Sequence, residues 1–235
     1  MQLPNASVAE IMGQAGYDWV AIDLEHGAFG LHVLPDVFRA LELGNTLPLV
    51  RLAHGHPKDC KHALDAGAGG VIVPMIESGE QLATMRDACR WPPAGRRAVG
   101  FSRANLFGKH FDDYRNEAQQ PLLIAMIESR AAVDNLDEIL AVDGLDALFI
   151  GPYDLSASLG RTAEFETAEF KAVMKKILSL AERTAVPCGI HVVDADPRQL
   201  DRRLKEGYRF VAYSIDAVFL NGAAQKPASI PRKVV

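Results

Sequence analysis

The chain has 235 residues, 49% of them apolar, and a formal charge of -5 at neutral pH. That length and apolar content suit one sizeable core, and α/β barrels of this size commonly form a single unit. The acidic balance, with a pI near 5.8, argues against nucleic acid or an anionic membrane surface as the main partner. No apolar run is long enough to cross a bilayer, and the chain does not open on a basic stretch followed by an apolar one. Cys60, Cys89 and Cys188 form no close-spaced metal motif and leave one thiol over after any pairing. A disulfide framework is therefore not expected, and a reducing cytoplasm is the expected compartment.

Residues 6–14 (ASVAEIMGQ) have a helical pattern, and only MQL stands where a preceding strand belongs. Near-continuous apolar runs then recur at 17–23, 46–51, 70–73, 122–127, 146–150, 186–190 and 209–213, as expected of strands buried on both faces. Helical patterns separate them at 31–43, 57–66, 78–90, 130–141, 165–184 and 195–206. Pro57 suits a first helical turn, Asp194 a cap, and Gly44, Gly67 and Gly207 the residue after a helix end. This alternation predicts a parallel sheet with helices outside it, specifically a (β/α)8 TIM barrel with a truncated first strand and a shortened last helix. An open doubly wound sheet ranks second, because no Gly-rich phosphate loop joins a strand to a helix. One barrel domain is expected over 1–220 and a flexible tail over 221–235. The segment 91–121 is too long for a routine connection, which marks it as an active-site cover, a subunit contact or a disordered stretch, and substrate specificity is expected from it through Arg103 and Phe107.

In parallel barrels chemistry gathers at the C-terminal ends of the strands. Here those ends carry Asp23, Glu25 and His26, then Arg51, Glu128, Asp154 in GPYD, and His191. Glu128 and Asp154 suit a hard divalent ion such as Mg²⁺ or Mn²⁺, with Co²⁺ also compatible. A 2-oxo acid chelated to such an ion loses an adjacent proton to give an enolate. Arg51 is placed to hold the developing oxyanion, His26 to act as base, and Asp23 to fix the tautomer of His26. Backbone N–H groups of the Gly151–Asp154 turn suit a carboxylate. Each residue also has a plainer explanation. Asp23 and Asp154 can serve as caps, Arg51 can pair with Glu25 or Glu128, and Glu128 can bridge to Arg130 or Arg97. His54 and His56 are expected to be exposed, and nothing in the sequence gives His191 a partner.

The stretches DLEHG, PLVRLAHG, DAGAGGVIVPMIES, WPPAGRRAVGFSRANLFG, MIESRAAVDNLDEILAVDGLDALFIGPYDLSASLG and GYRFVAYSID occur in order between about residues 5 and 220. Together they resemble the HpcH/HpaI aldolase family, the metal-dependent class II pyruvate aldolases. The resemblance implies a barrel that makes or breaks a carbon–carbon bond between pyruvate, or a similar 2-oxo acid, and an aldehyde. It assigns catalysis to His26 with Asp23 as its partner, enolate stabilisation to Arg51, and metal binding to Glu128 and Asp154. It gives the pyruvate carboxylate to the Gly151 and Tyr153 amides, and it implies a homo-oligomer, a hexamer or trimer. Met126 stands where the family carries Gln, and an apolar thioether does not replace an amide that bonds a ligand. Tyr213 and Ser214 occupy a region that is glycine-bearing in many members. Alternative functions are a related barrel that condenses oxaloacetate-type donors or acts on a thioester, and a non-catalytic binder of small acids.

Overall fold

The computed structural model describes residues 1–225. Seven strands form one sheet: β1 (Trp19–Asp23), β2 (Leu47–Arg51), β3 (Gly70–Val73), β4 (Leu122–Ile127), β5 (Ala147–Ile150), β6 (Cys188–Val192) and β7 (Phe210–Tyr213). The helices are α1 (Ala6–Gln14), α2 (Leu34–Glu42), α3 (Pro57–Asp65), α4 (Gly79–Cys89), α5 (Phe111–Glu117), α6 (Arg130–Asp134), α7 (Leu136–Leu140), α8 (Pro152–Ser158), α9 (Ala168–Arg183), α10 (Pro197–Glu206) and α11 (Asp216–Ala223). Helix α11 carries regular structure past the expected boundary at 220, and most of the expected tail, 226–235, lies outside the described residues. Among the described residues no helix is long and apolar enough to cross a membrane.

Sheet order equals chain order, and every neighbouring pair is parallel. Crossover helices of one hand add each new strand on the same side, which curls the sheet towards closure. The curl is complete enough for Trp19 on β1 to stack on Phe210 of β7, with ring centroids 4.4 Å apart. No ladder joins β7 to β1 among the described residues. The backbone of Met1 instead extends the edge of β1: its nitrogen donates to Ala21 O at 2.6 Å, and its carbonyl accepts from Asp23 N at 3.0 Å. Asp216 then receives the Gln2 and Leu3 amides at 2.8 and 3.0 Å. The MQL stretch therefore lies where the truncated first strand was expected.

Strand side chains alternate between two apolar environments. Leu49, Ile72, Ile124, Met126, Ala147 and Phe149 fill the inside of the curl, while Val50, Val71, Ala125, Leu148 and Ile190 pack outward against the helices. Burial on both faces explains why the strands read as unbroken apolar runs. Gly189 makes room for the inner layer, because a Cβ there would sit 2.3 Å from Phe210 O and 2.8 Å from atoms of the Phe149 and Phe210 rings.

Most punctuation marks act as expected, with two exceptions. Gly67 and Gly207 follow α3 and α10 with φ of +104° and +109°, a conformation glycine adopts without strain. Gly44 does not; it lets α2 approach α1, where a Cβ would lie 2.2 Å from Gly13 O, and Asn45 takes the left-handed conformation instead. The cap of α10 is Asp196 rather than Asp194, its carboxylate accepting from Arg198 N at 3.0 Å.

The segment 91–121 does not cover the strand C-termini. It leaves the C-terminal end of α4 and enters β4, so it lies at the N-terminal ends of the strands. Arg103 grips Glu42 at the end of α2 and donates to Ala66 O just beyond α3 at 3.3 Å. Arg97, buried beside the Trp91 and Tyr114 rings, donates to the Tyr114 hydroxyl at 2.9 Å and lies 3.6 Å from Asp65. Within one chain this segment buttresses the floor of the barrel, and Arg103 and Phe107 do not reach the strand ends that carry the polar cluster.

Replacing Gly189 with Ala should overfill the inner layer and destabilise the fold by about 1–3 kcal/mol, measured as a lower urea midpoint with an unchanged slope.

Candidate active site at the C-terminal ends of the strands

On β1, β2 and β4 the inward positions end in a charged side chain. β1 places Trp19 and Ala21 inside and then Asp23; β2 places Leu49 inside and then Arg51. The register sets Asp23 directly opposite Arg51. The guanidinium makes a two-pronged contact, Nε to Oδ1 at 2.9 Å and Nη2 to Oδ2 at 2.6 Å, the geometry that fits this fork best. Its third nitrogen, Nη1, lies 3.1 Å from Glu25. Asp23 also receives the Gln2 side-chain amide at 3.0 Å and the backbone amides of Glu25 and His26 at 3.1 and 3.2 Å. Burial alone would raise the Asp23 carboxyl, but the Arg51 bonds and charge, reinforced by Gln2 and the His26 amide, hold it down at about 2. Burial opposes the Arg51 charge as well, and Asp23 and Glu25 outweigh it.

This arrangement corrects one expectation. Asp23 meets His26 through the backbone amide, closing a tight turn, and not through the imidazole, which is exposed. The carboxylate is already committed to a permanently charged partner in register with it, so it does not fix the His26 tautomer. Of the plainer alternatives, the Arg51 pair with Glu25 is realised, whereas Asp23 closes a turn rather than capping the next helical segment, whose N-cap is Gly30.

Glu128 follows the last residue of β4, two positions after Met126 and on the same inward face. It pairs with neither Arg130, which binds Glu169 at 2.6 Å, nor Arg97. The carboxylate is buried, and its one hydrogen bond among the described residues comes from Met75 N to Oε1 at 2.6 Å. Met75 has a φ of +53°, uncommon for a residue with a side chain, and Gln81 Nε2 holds its carbonyl at 3.0 Å. Oε2 lies against Gly151, where a Cβ would come within 2.6 Å. Burial pushes the Glu128 carboxyl up to about 7, helped by the charges of Glu25 and Asp154 and opposed by the Met75 amide and Arg51. Asp154 sits exposed in the first turn of α8.

A second correction concerns Gly151. Its N–H donates to Ile127 O at 3.2 Å, continuing the β4–β5 ladder, and so it is not available to a carboxylate. Tyr153 differs: as the second residue of α8 after Pro152, its N–H has no acceptor within the helix. Met126 is buried among Leu49, Ile72 and Phe149 and forms an apolar floor beneath Glu128.

Three participants were not picked out by sequence reasoning: Gln2, the Met75 amide and the setting of His191. The last lines a cavity of about 160 Å³ together with Asp23, Arg51 and Gln2. One signal was present, because Met-Ile-Glu-Ser occurs twice, at 75–78 and 126–129. Both serines cap the helix that follows, Ser78 accepting from Gln81 N and Ser129 from Ala132 N. The copy after β3 begins with the left-handed Met75, so its Glu77 backbone is tied to Gln81 and Asn135 while Glu128 alone stands at the strand end.

Hard oxygen donors dominate the site. Among the described residues no three His, Cys, Asp or Glu side chains are grouped as a metal cage. Two carboxylates fit an ion that keeps water and substrate oxygens as its other ligands. A buried carboxylate with one hydrogen bond, crowded by Glu25 and Asp154, is a group that a cation would relieve. The donor set therefore fits a hard divalent ion.

The model of the HpcH/HpaI aldolase/citrate lyase family matches residues 1–222, and the chain belongs to that family. A hydroxypyruvate/pyruvate aldolase of Roseobacter denitrificans is 38% identical over 94% of this chain and 86% of its own length. A 5-keto-4-deoxy-D-glucarate aldolase of Citrobacter koseri is 34% identical over 98% of this chain and 90% of its own length. Among solved structures, an HpcH/HpaI aldolase/citrate lyase family protein from Burkholderia cenocepacia superposes with a TM-score of 0.89 at 33% identity, covering 95% of this chain and 89% of that one. The barrel is thus that of an aldolase, and the enzyme is a carbon–carbon lyase.

Because Asp23 titrates near 2 in the folded state against an ordinary value near 3.8, its contribution to stability is full above about pH 4 and is lost as pH falls towards 2. Asp23→Asn should cost about 1.5–3 kcal/mol at pH 7. The gap between wild type and variant should close between pH 4 and pH 2, measured by urea unfolding across that range.

Proposed function

We propose that the protein is a divalent-metal-dependent aldolase joining pyruvate, or a similar 2-oxo acid, to an aldehyde through an enolate, and cleaving the reverse product. The observation that carries this reading is the meeting of an Asp23-locked guanidinium with a buried, cation-seeking carboxylate at one barrel mouth. Glu128 and Asp154 would hold Mg²⁺ or Mn²⁺, whose charge polarises the 2-oxo acid and favours its enolate. Arg51 supplies fixed donors for the oxygen that gains charge when C3 loses its proton. Asp23 fixes the plane of that fork and so removes reorganisation from the step. His26, on the turn after β1, takes the C3 proton directly or through water. The enolate carbon then bonds to the aldehyde carbon, and the resulting alkoxide takes up a proton. The Tyr153 amide at the start of α8 suits the substrate carboxylate, and Met126 walls the methyl side.

Relatives named as aldolases at 34–38% identity over nearly the whole chain favour this reading over an oxaloacetate-condensing or thioester-cleaving barrel. The intact acid, base and guanidinium positions speak against a non-catalytic binder. We also place the enzyme in the cytoplasm, in keeping with three buried free thiols, and as a homo-oligomer, a trimer or hexamer. Exposed Val99, Phe101, Leu106 and Phe107 on the 91–121 segment support such assembly, since clustered apolar surface marks contact sites.

The test is exchange of the pyruvate methyl protons in D₂O, followed by NMR with Mg²⁺ or Mn²⁺ and then with EDTA. Exchange is expected with metal and should stop with chelator. Arg51→Lys should slow it by about 10²–10³-fold, and Glu128→Gln should abolish its metal dependence. Exchange that continues at full rate in EDTA would show that no metal supports the enolate.

A further inference from the structure

The aldolase reading uses the ends of β1, β2, β4 and β5 and leaves β6 unexplained. β6 carries His191 on its inward face one residue before its end, two residues after Gly189, on the wall of the cavity that also holds Asp23 and Arg51. The ring is fixed from behind: Nε2 lies 3.1 Å from Ser214 O. A carbonyl only accepts, so Nε2 carries the hydrogen, and Nδ1 of the neutral ring presents a lone pair. Ser214 is itself anchored. It has a φ of +61°, donates its N–H to Val192 O at 2.7 Å, and donates its hydroxyl to Val193 O at 3.1 Å. Burial holds the imidazole pKa below its ordinary value, against the pull of the Ser214 bond, which keeps the ring neutral.

Nδ1 makes no hydrogen bond among the described residues, and the carboxylates on the same cavity wall are already engaged. Asp23 serves Arg51 and Gln2, and Asp216 serves the Gln2 and Leu3 amides. A lone acceptor on a cavity shared with Arg51 calls for a donor. The carboxylate and keto oxygens of a 2-oxo acid only accept, and so does an aldehyde oxygen; a hydroxyl is the one donor these substrate classes carry.

We propose that His191 is the specificity-determining residue for hydroxylated substrates, its Nδ1 accepting a hydrogen bond from a hydroxyl beside the reacting carbonyl of a hydroxy-2-oxo acid or a hydroxyaldehyde. The proposal rests on the aldolase reading for its substrates, and the tests separate the two. Substrates are compared in pairs differing by one hydroxyl: hydroxypyruvate against pyruvate as donor, and glycolaldehyde against acetaldehyde as acceptor. His191→Leu should lower kcat/KM about tenfold for the hydroxylated member of one pair and leave the plain member unchanged. His191→Asn, which keeps an acceptor near the place of Nδ1, should restore much of that preference. Equal losses on both members, or none on either, would overturn the proposal.

Two further readouts do not need turnover. Calorimetric titration of the wild type and His191→Leu with hydroxypyruvate and pyruvate should show the same selective loss of binding. In the wild type alone, which avoids any variant that fails to fold, the ¹⁵N resonance of His191 Nδ1 should move on adding the hydroxylated ligand and not on adding its plain partner. Absence of both proton exchange and carbon–carbon cleavage would count against the aldolase reading. An unmoved Nδ1 resonance on saturation with each hydroxylated ligand would count against His191.

Discussion

The site depends first on the pairing of Asp23 with Arg51 across β1 and β2. Both stand at the last inward position of their strands, and parallel register places them face to face. A guanidinium that meets a carboxylate through two aligned bonds loses its torsional freedom, so the direction of its remaining donors is set by the sheet. The pair also balances its own charge in a poorly solvated place, where an unpaired Arg51 or Asp23 would be costly to bury. Slipping β1 by one residue against β2 would turn Asp23 outward and break both the pair and the inner apolar layer. Packing and site geometry therefore rest on the same register.

The rest of the mouth is built by contrast. Asp23 has a counter-charge and several donors and stays ionised far into acid, whereas Glu128 has one amide and two neighbouring carboxylates and is pushed towards neutrality. Two acids a short way apart on one barrel are thus driven in opposite directions by their surroundings, which is how a site divides roles between like groups. Met75 is part of this division. Its left-handed backbone turns the single donor onto Glu128, and Gln81 holds that turn from the other side.

Much of the fold was legible in the sequence because a doubly buried parallel strand is hard to disguise. The run VIV between Gly70 and Pro74 and the run LLIAMI before Glu128 fall where β3 and β4 lie. The polar strand ends were legible for the same reason: charged residues closing apolar runs stand out. What the sequence concealed was which of these groups bind one another. The partner of Asp23 is 28 residues away and is chosen by register, while His26, three residues away, looked the closer candidate. The amide of Gly151 looked free until the ladder with Ile127 was seen. The length of 91–121 admitted an active-site cover among its readings, although its connectivity, from the end of a helix into the start of a strand, already directed it to the floor.

Met126 shows how an interior choice reaches the chemistry. Its methyl would lie 3.4 Å from a Cβ at Gly151, so the thioether fills the space directly beneath the Glu128 carboxylate. An amide in that place would bring a donor to the acid or to a ligand; a thioether brings neither, and it keeps water out. Glu128 is consequently drier and less satisfied than it would be above a polar floor, which is the condition that raises its affinity for protons and for hard cations alike. An apolar side chain at this position also leaves the β4 side of the mouth without a polar contact there. Hydrogen bonding to a substrate hydroxyl must then come from another wall, and β6, with its tautomer-fixed imidazole, is the wall that has an acceptor to offer.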